Sequence, residues 1–213
     1  MSLTVVVDYE SGNLHSAEKA FQRMAAETGA GEVIISGRPE DVARADRIVL
    51  PGDGAYPACK AALEGHSGLQ EAIEEAVQVR GRPFMGICIG MQMMASVGRE
   101  YRDTPGFDWI AGEVVPIVPD DPALKVPHMG WNDLIVTGSH PVLEGIETGD
   151  HAYFVHSYQV VVRDPAERLA YAEYGGEVTA IIGRDTMIGT QFHPEKSQHA
   201  GLRMIANFLT WAP

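Results

Sequence analysis

Short apolar runs alternate with amphipathic segments in the first half of the chain. Strands are predicted at residues 4–7, 33–36, 48–50 and 83–88, and helices at 14–27 and 68–79. The predicted strands are apolar throughout and do not alternate with polar residues, which is typical of strands buried on both faces. The pattern therefore predicts an α/β fold, a three-layer sandwich with a central, mostly parallel sheet.

The pattern changes from about Trp109 onward, because β-rich segments follow one another with little helix between them. Strands are predicted at residues 110–118, 133–136, 153–162, 169–173, 179–183 and 187–192, and a final amphipathic helix at 200–211. We therefore expect added antiparallel strands in this half. No repeat or linker separates the halves, so residues 1–213 are expected to form a single domain.

Composition restricts the possible functions. The chain has 213 residues, 45% of them hydrophobic, and a formal net charge of −13, which argues against a nucleic-acid surface because such surfaces need clustered Lys and Arg. No apolar stretch approaches the length of a membrane span, and the N-terminus lacks the pattern of a signal peptide. The two cysteines, Cys59 and Cys88, match neither a metal-ligand nor a disulfide spacing, so we expect a cytoplasmic location and no metal.

A cysteine lies between two glycines at positions 86–90, in the sequence Gly-Ile-Cys-Ile-Gly. It follows a predicted strand and precedes a helical segment, which is typical of a nucleophile elbow, a sharp strand-to-helix turn that exposes its corner side chain. The small flanking residues let neighbouring backbone pass close, and a helix N-terminus favours thiolate over thiol. Cys88 is therefore a candidate nucleophile. On these five residues alone, a cysteine that merely packs at an ordinary junction is an equal alternative.

A candidate base and its orienting group lie near the C-terminus. His193 follows the predicted strand 187–192 and should lie at the same sheet edge as the elbow. Pro194 restricts the backbone so that Glu195 can point back to the imidazole, where a carboxylate sets the tautomer and stabilises the imidazolium. The alternative is a strand-end histidine beside a solvated glutamate, but the cysteine motif upstream favours the catalytic interpretation.

A nucleophilic mechanism also needs backbone N–H donors aimed at the developing oxyanion. The elbow geometry predicts one donor from Ile89, the residue after the nucleophile. A second is expected in the glycine-rich loop after strand 48–50, which contains Gly52, Asp53 and Gly54. In isolation, this Pro-Gly-Asp-Gly segment is also typical of a simple β-turn.

These three segments together resemble the class I (triad) glutamine amidotransferases. They are the Cys88 elbow with the Met-Gln that follows it, the Pro-Gly-x-Gly loop at 51–54 and the His-Pro-Glu segment at 193–195, in the family's order. The resemblance covers nearly the whole sequence. It implies the class I amidotransferase fold and hydrolysis of L-glutamine to glutamate and ammonia through a glutamyl thioester, with no cofactor and with ammonia delivered to a separate synthase site.

Three further segments are similar to those of the glutaminase subunits of imidazole glycerol phosphate synthase, an enzyme of histidine biosynthesis. They are residues 8–14, 127–132 and 153–158. Since the sequence ends at Pro213 directly after the last predicted helix, no fused synthase domain is expected. The resemblance therefore implies a heterodimer with the cyclase subunit as partner.

The resemblance also assigns roles to individual residues. Cys88 would attack the amide carbon, His193 would protonate the leaving ammonia, and Glu195 would orient His193. Backbone groups of Gly52, Asp53 and Ile89 would form the oxyanion hole. Glutamine would be bound by Gln92, Glu100, His156, Ser157 and Tyr158, and the cyclase by Asn13 and Lys196.

Several of these residues have simpler interpretations. Gln92 and Glu100 could be solvated side chains, Asn13 could be a helix N-cap, and Lys196 could be a surface lysine. Asp53 departs from the family pattern, because related glutaminases commonly have an aliphatic residue there. An inward carboxylate would repel the oxyanion, so we expect the Asp53 side chain to face solvent or the partner.

Other functions use the same motifs. A stand-alone γ-glutamyl thiol hydrolase would work without a partner, and a glutaminase subunit of the anthranilate synthase type would share the elbow. A regulatory homologue is disfavoured because all three triad candidates are present. An α/β-hydrolase is disfavoured because its acidic residue precedes a distant histidine, whereas Glu195 follows His193 almost directly.

Overall fold

The strands and helices are taken from a computed structural model that describes residues 2–10 and 14–213. The strands are β1 (Leu3–Val7), β2 (Glu32–Ser36), β3 (Arg47–Leu50), β4 (Phe84–Ile87), β5 (Ala95–Gly98), β6 (Thr104–Pro105), β7 (Ile110–Pro116), β8 (His128–Asp133), β9 (Ile135–Val136), β10 (His151–His156), β11 (Tyr158–Val162), β12 (Arg168–Glu173), β13 (Glu177–Arg184) and β14 (Met187–Thr190). The helices are α1 (Leu14–Thr28), α2 (Pro39–Arg44), α3 (Tyr56–Gly65), α4 (Leu69–Glu74), α5 (Ile89–Gln92) and α6 (Gln198–Thr210). A π-helical turn at Glu75–Val79 continues α4, and a 3-10 turn at Pro194–Lys196 precedes α6.

The central sheet has the strand order β2-β1-β3-β4-β14-β13-β12-β9. The first five strands in this order are parallel, and β13, β12 and β9 are added antiparallel. Strands β1 and β4 are buried except for the partly exposed Leu3, because helices cover both faces of a parallel sheet. The α/β prediction with added antiparallel strands is therefore confirmed.

The helices form two groups around this sheet. Helices α1 and α6 pack against each other, with Phe21 and Phe208 edge to face at 6.4 Å between ring centroids. Helix α4 contacts both α2 and α3. Right-handed crossovers from β1 to β2 and from β2 to β3 run in opposite directions along the sheet, which places α1 and α2 on opposite faces. The result is the predicted three-layer arrangement.

Two smaller sheets account for the remaining strands. Strands β11, β7, β5 and β6 form a four-stranded sheet, and β10 pairs with β8. The predicted single strand at 153–162 is therefore wrong, since Ser157 separates β10 from β11 and the two strands belong to different sheets. The predicted strand at 133–136 is also wrong, because the segment is divided between β8 and β9 at Leu134, which is fully buried. Helices α2 and α3 were not predicted.

Strands β4 and β14 determine where the candidate catalytic residues meet. They are adjacent and parallel, with Ile87 opposite Thr190. The N–H of Cys88 donates to the Thr190 carbonyl at 2.8 Å, which extends the pairing by one residue. Cys88 and His193 therefore leave the sheet at the same edge. Within residues 2–10 and 14–213, no helix is long and apolar enough to cross a membrane.

Candidate active site

Cys88 has a backbone conformation that residues with a side chain rarely adopt. Its φ is 55° and its ψ is −111°, directly after β4 and before α5. The neighbouring glycines are required by close approaches: a Cβ on Gly90 would lie 1.8 Å from the Leu50 carbonyl oxygen, and one on Gly86 would lie 2.6 Å from the Gly90 carbonyl oxygen. The backbone is therefore folded tightly enough to hold the thiol at the strand end.

The helix that follows the elbow is shorter than the pattern suggests. Helix α5 spans a single turn, in which Gln92 N–H donates to the Cys88 carbonyl at 3.0 Å and Met93 N–H donates to the Ile89 carbonyl at 2.8 Å. One turn sums few peptide dipoles, so the expected helix-dipole stabilisation of a thiolate is small here.

His193 and Glu195 form a buried pair beside Cys88. The Nδ1–H of His193 donates to Glu195 Oε1 at 2.8 Å, and the two side chains are only 5% and 4% exposed. Burial lowers the pKa of His193, but its interactions with Cys88 and Glu195 outweigh burial and raise the pKa to about 10. Among the described residues, Nε2 has no hydrogen bond of normal geometry.

The backbone around His193 is fixed by Tyr153 of β10 and by Ser197. His193 N–H donates to the Tyr153 carbonyl at 3.1 Å. The Ser197 hydroxyl donates to the His193 carbonyl at 2.7 Å and accepts from Tyr153 N–H at 3.0 Å. Because Ser197 is buried, these bonds are shielded from water and hold the imidazole at a defined position.

The two predicted oxyanion donors are not available together. Ile89 N–H donates to the Gly52 carbonyl at 3.3 Å. The peptide between Gly52 and Asp53 is trans, so its N–H points opposite to its C=O and away from the elbow. The Gly52 carbonyl therefore occupies the predicted oxyanion site, and turning this one peptide would present both N–H groups there.

Neighbouring residues anchor this oxyanion loop. The Tyr9 hydroxyl donates to the Pro51 carbonyl at 2.7 Å, and the Cys59 thiol donates to the Asp53 carbonyl at 3.2 Å. A Cβ on Gly52 would lie 2.5 Å from the Tyr9 hydroxyl oxygen, so only glycine fits there. Gly54, the residue after Asp53, has a φ of +109°, a conformation that favours glycine.

The expectation that Asp53 faces solvent or the partner is only partly met. The side chain is 39% exposed, but its carboxylate also turns inward, with Oδ1 3.6 Å from His193 Nε2. The physical reason is that the raised pKa of His193 favours the imidazolium, which attracts a carboxylate. The Cys88 sulfur, His193 nitrogen and Asp53 oxygen lie within 4.8 Å of one another, a grouping that could also hold a metal ion.

A cleft of about 380 Å³ opens in front of Cys88. It contains most of the residues that sequence analysis assigned to the site: Asp53, Cys88, Ile89, Gln92, Glu100, His156, Ser157, Tyr158 and Lys196. His193, Glu195 and Gly52 flank Cys88 behind the cleft surface. Asn13 lies outside the described residues.

Gln191 is a residue of the site that sequence analysis missed. Its amide nitrogen lies 3.6 Å from Cys88 Sγ, and its amide oxygen accepts from Gln92 Nε2 at 3.1 Å. Gln92 also donates to the Tyr158 carbonyl at 3.3 Å. The only signal for Gln191 in the sequence was a polar residue between Thr190 and Phe192, at the end of an apolar run. Gln191 is completely buried, and its contacts with Cys88 and Gln92 place it beside the candidate nucleophile.

His156 lines the cleft with both ring nitrogens already bonded inside the protein. Nδ1 donates to the Tyr158 carbonyl at 2.8 Å, and Nε2 faces His128 Nδ1 at 3.0 Å. Burial lowers the pKa of His156 to about 3 and that of His128 to about 4, so both rings are neutral at pH 7. His156 therefore supports the cleft wall and does not direct a nitrogen toward a ligand.

Glu100 connects the cleft to the start of α3. One carboxylate oxygen, Oε2, accepts from Tyr56 N–H at 2.6 Å in a buried environment. A carboxylate has further lone pairs for a second donor, so Glu100 can also accept from an ammonium group in the cleft. Lys196 is half-buried on the same cleft. The cleft thus presents two carboxylates, those of Asp53 and Glu100, and the Lys196 ammonium to a small zwitterion.

This arrangement has the groups that nucleophilic acyl transfer requires: a strained cysteine, a histidine within reach of its proton and a carboxylate that orients the histidine.

A family model described as Glutamine amidotransferase class-I matches residues 5–211. The chain is 75% identical over 211 residues to imidazole glycerol phosphate synthase subunit HisH of Cereibacter sphaeroides, which covers 99% of this chain and 100% of the relative. It is 66% identical over 211 residues to the subunit of the same name from Ruegeria pomeroyi, with the same coverage.

Solved structures share the fold at much lower identity. One glutamine amidotransferase has a TM-score of 0.70 at 18% identity, covering 96% of this chain and 98% of that chain. PurLQS from Thermotoga maritima has a TM-score of 0.68 at 18% identity, covering 98% of this chain and 97% of that chain. At this identity, the likeness concerns the fold alone.

Proposed function

We propose, since this chain belongs to the class I glutamine amidotransferase family, that it is the glutaminase subunit of imidazole glycerol phosphate synthase. Relatives of that name match it over nearly its full length at 75% and 66% identity. The chain hydrolyses L-glutamine to glutamate and ammonia, and the ammonia serves histidine biosynthesis. The lyase step of the synthase belongs to the partner subunit.

The observation that carries the proposal is the arrangement of Cys88, His193 and Glu195 at one sheet edge. In the proposed reaction, Cys88 Sγ attacks the side-chain amide carbon of glutamine while His193 Nε2 holds the thiol proton. The C–N bond then breaks, His193 gives that proton to the leaving nitrogen, and ammonia and a glutamyl thioester result. Water, deprotonated by His193, hydrolyses the thioester to glutamate and regenerates the thiol.

The cleft residues are proposed to bind the amino-acid end of glutamine. Glu100 is the proposed partner of the substrate ammonium, because its buried carboxylate lines the cleft. Gln92, Ser157 and Tyr158 supply polar groups beside it, and His156 holds this wall in place. A zwitterionic amino acid needs such paired contacts to be oriented.

Control by the partner is proposed to act through the Gly52 carbonyl. Ile89 N–H is already hydrogen-bonded to this carbonyl. The tetrahedral intermediate therefore lacks its N–H donors until the Gly52–Asp53 peptide turns. We therefore expect slow hydrolysis by the isolated chain. We propose a heterodimer with the cyclase subunit, in which Asn13 and Lys196 contact the partner. A cytoplasmic location is proposed as well, in keeping with Cys59 and Cys88 being thiols that are not bridged.

The proposal is tested by measuring glutamine hydrolysis by the isolated chain and by the chain with the cyclase subunit and its nucleotide substrate. We expect slow hydrolysis alone and stimulation of about a hundredfold or more in the complex, the scale associated with oxyanion-hole donors. Equal rates with and without the partner would favour a stand-alone hydrolase. The absence of hydrolysis in both samples would contradict the assignment as a glutaminase.

A further inference from the structure

One peptide unit contacts both halves of the candidate catalytic machinery. The carbonyl of this peptide, from Gly52, accepts from Ile89 N–H at 3.3 Å. This N–H is the expected oxyanion donor. The side chain on the other end of the peptide, that of Asp53, places Oδ1 3.6 Å from Nε2 of His193. The oxyanion donor and the proton carrier are therefore engaged at the same time by consecutive residues of one loop.

We propose that the Asp53 carboxylate is an autoinhibitory positioning residue, which holds the resting loop by binding His193 and must leave before glutamine reacts. This inference rests on the glutaminase function proposed above and adds a residue-level control to it. Most side chains at such a position could not do this. An aliphatic side chain has no charge with which to bind an imidazolium.

The carboxylate also lies in the space where the reaction occurs. It lines the cleft in front of Cys88, and one of its oxygens is within 4.8 Å of Sγ. The amide carbon of glutamine must reach bonding distance of that sulfur, and its oxygen then becomes negatively charged. A second negative charge so close opposes the intermediate. The resting position of Asp53 is thus incompatible with efficient turnover on electrostatic grounds.

The exposure of Asp53 provides an exit. The side chain is 39% exposed, whereas His193 is 5% exposed, so rotation about χ1 can carry the carboxylate into water while the base stays in place. Turning the peptide replaces the Gly52 carbonyl by the Asp53 N–H at the oxyanion site. Both movements act on the same residue, and each removes one inhibitory contact.

The test compares Asp53→Asn and Asp53→Val with the natural chain in the absence of the cyclase. Both variants should raise unstimulated glutamine hydrolysis by about tenfold, and the stimulation by the cyclase should decrease correspondingly. Asp120→Asn, which removes the same charge from an exposed loop outside the cleft, should stay within about twofold of the natural chain. Unstimulated rates for both Asp53 variants at or below that of the natural chain would overturn the proposal.

A second measurement separates this role from a loss of loop structure. The rate of Cys88 alkylation is measured by peptide mass spectrometry with neutral iodoacetamide and with anionic iodoacetate. Removing a carboxylate near the sulfur should increase the iodoacetate rate more than the iodoacetamide rate, raising their ratio by about fivefold. A general loosening would raise both rates equally, and an unchanged ratio in Asp53→Asn would contradict the proposed position of the charge.

The outcomes separate the role of Asp53 from the glutaminase function. If the natural chain is stimulated by the cyclase but the Asp53 variants show no gain alone, only the autoinhibitory role is overturned. If no sample hydrolyses glutamine, the glutaminase function is overturned, and the alkylation ratio still decides whether the Asp53 charge acts on Cys88.

Discussion

At the scale of single residues, the charge of His193 depends on Glu195. The carboxylate accepts from Nδ1 inside the protein, and together with Cys88 it overcomes the effect of burial and raises the pKa of His193 to about 10. The ordinary pKa of histidine, 6.5, is taken for the unfolded chain. Because the folded value is higher, this group's contribution to stability is complete below pH 6.5, decreases as the pH rises above it, and is lost above pH 10.

Glu195→Gln should therefore change both stability and its pH dependence. At pH 7 the variant should be less stable than the natural chain by about 2–4 kcal/mol, because a buried, hydrogen-bonded charge pair has lost one partner. The free energy of unfolding in urea should also fall less steeply between neutral pH and about pH 10 than it does in the natural chain. Parallel pH curves for the two proteins would contradict the proposed pairing, and a nitrogen NMR titration of His193 provides an independent check.

The strained backbone of Cys88 predicts how substitutions of this residue change the stability of the protein. A positive φ of 55° with a ψ of −111° is costly for any residue with a Cβ. Cys88→Gly should therefore be more stable than Cys88→Ala by about 1 kcal/mol, even though glycine normally destabilises relative to alanine. Urea unfolding of the two variants measures the difference, and an alanine variant that is equally or more stable would contradict a strained elbow.

At the scale of elements, the elbow depends on how closely α5 passes β3. Gly90→Ala would place a Cβ 1.8 Å from the Leu50 carbonyl oxygen, and backbone atoms in a sheet cannot move aside cheaply. We expect a loss of about 3 kcal/mol in unfolding free energy or a failure to fold. Gly65→Ala is the matched control, because a Cβ there meets no heavy atom within 4 Å. It should leave stability unchanged or raise it by about 0.5 kcal/mol, and equal effects of the two substitutions would contradict the account.

Some strands could be predicted from the sequence, whereas the pairing of others could not. The buried strand before Cys88 was predicted at 83–88 and is β4, because an apolar run between turn residues has a local signal. The run at 153–162 was predicted as one strand, but its two halves pair with β8 and β7 in different sheets. Local patterning indicates strand conformation, whereas the choice of partner strand depends on tertiary packing.

At the scale of the whole molecule, the parallel topology explains why the triad candidates could be found from the sequence. Cys88 and His193 each follow an apolar strand, and neighbouring parallel strands bring their ends to one edge. Three features of the site could not be predicted from the sequence: the orientation of the Gly52 carbonyl, the inward turn of the Asp53 carboxylate and the contact of Gln191 with Cys88. Gln191 and Cys88 are 103 positions apart, and each contact depends on backbone angles that the whole fold selects.

Cys88 is proposed to release ammonia for a reaction that another subunit completes. This role is tested by the turnover of the complex of Cys88→Ala with the cyclase subunit, supplied with either glutamine or ammonium salt. Removing the nucleophile should lower glutamine-dependent turnover by about a thousandfold or more, while ammonia-dependent turnover should stay within about twofold of the natural complex. Retained glutamine-dependent turnover, or an equal loss with both nitrogen sources, would contradict the account.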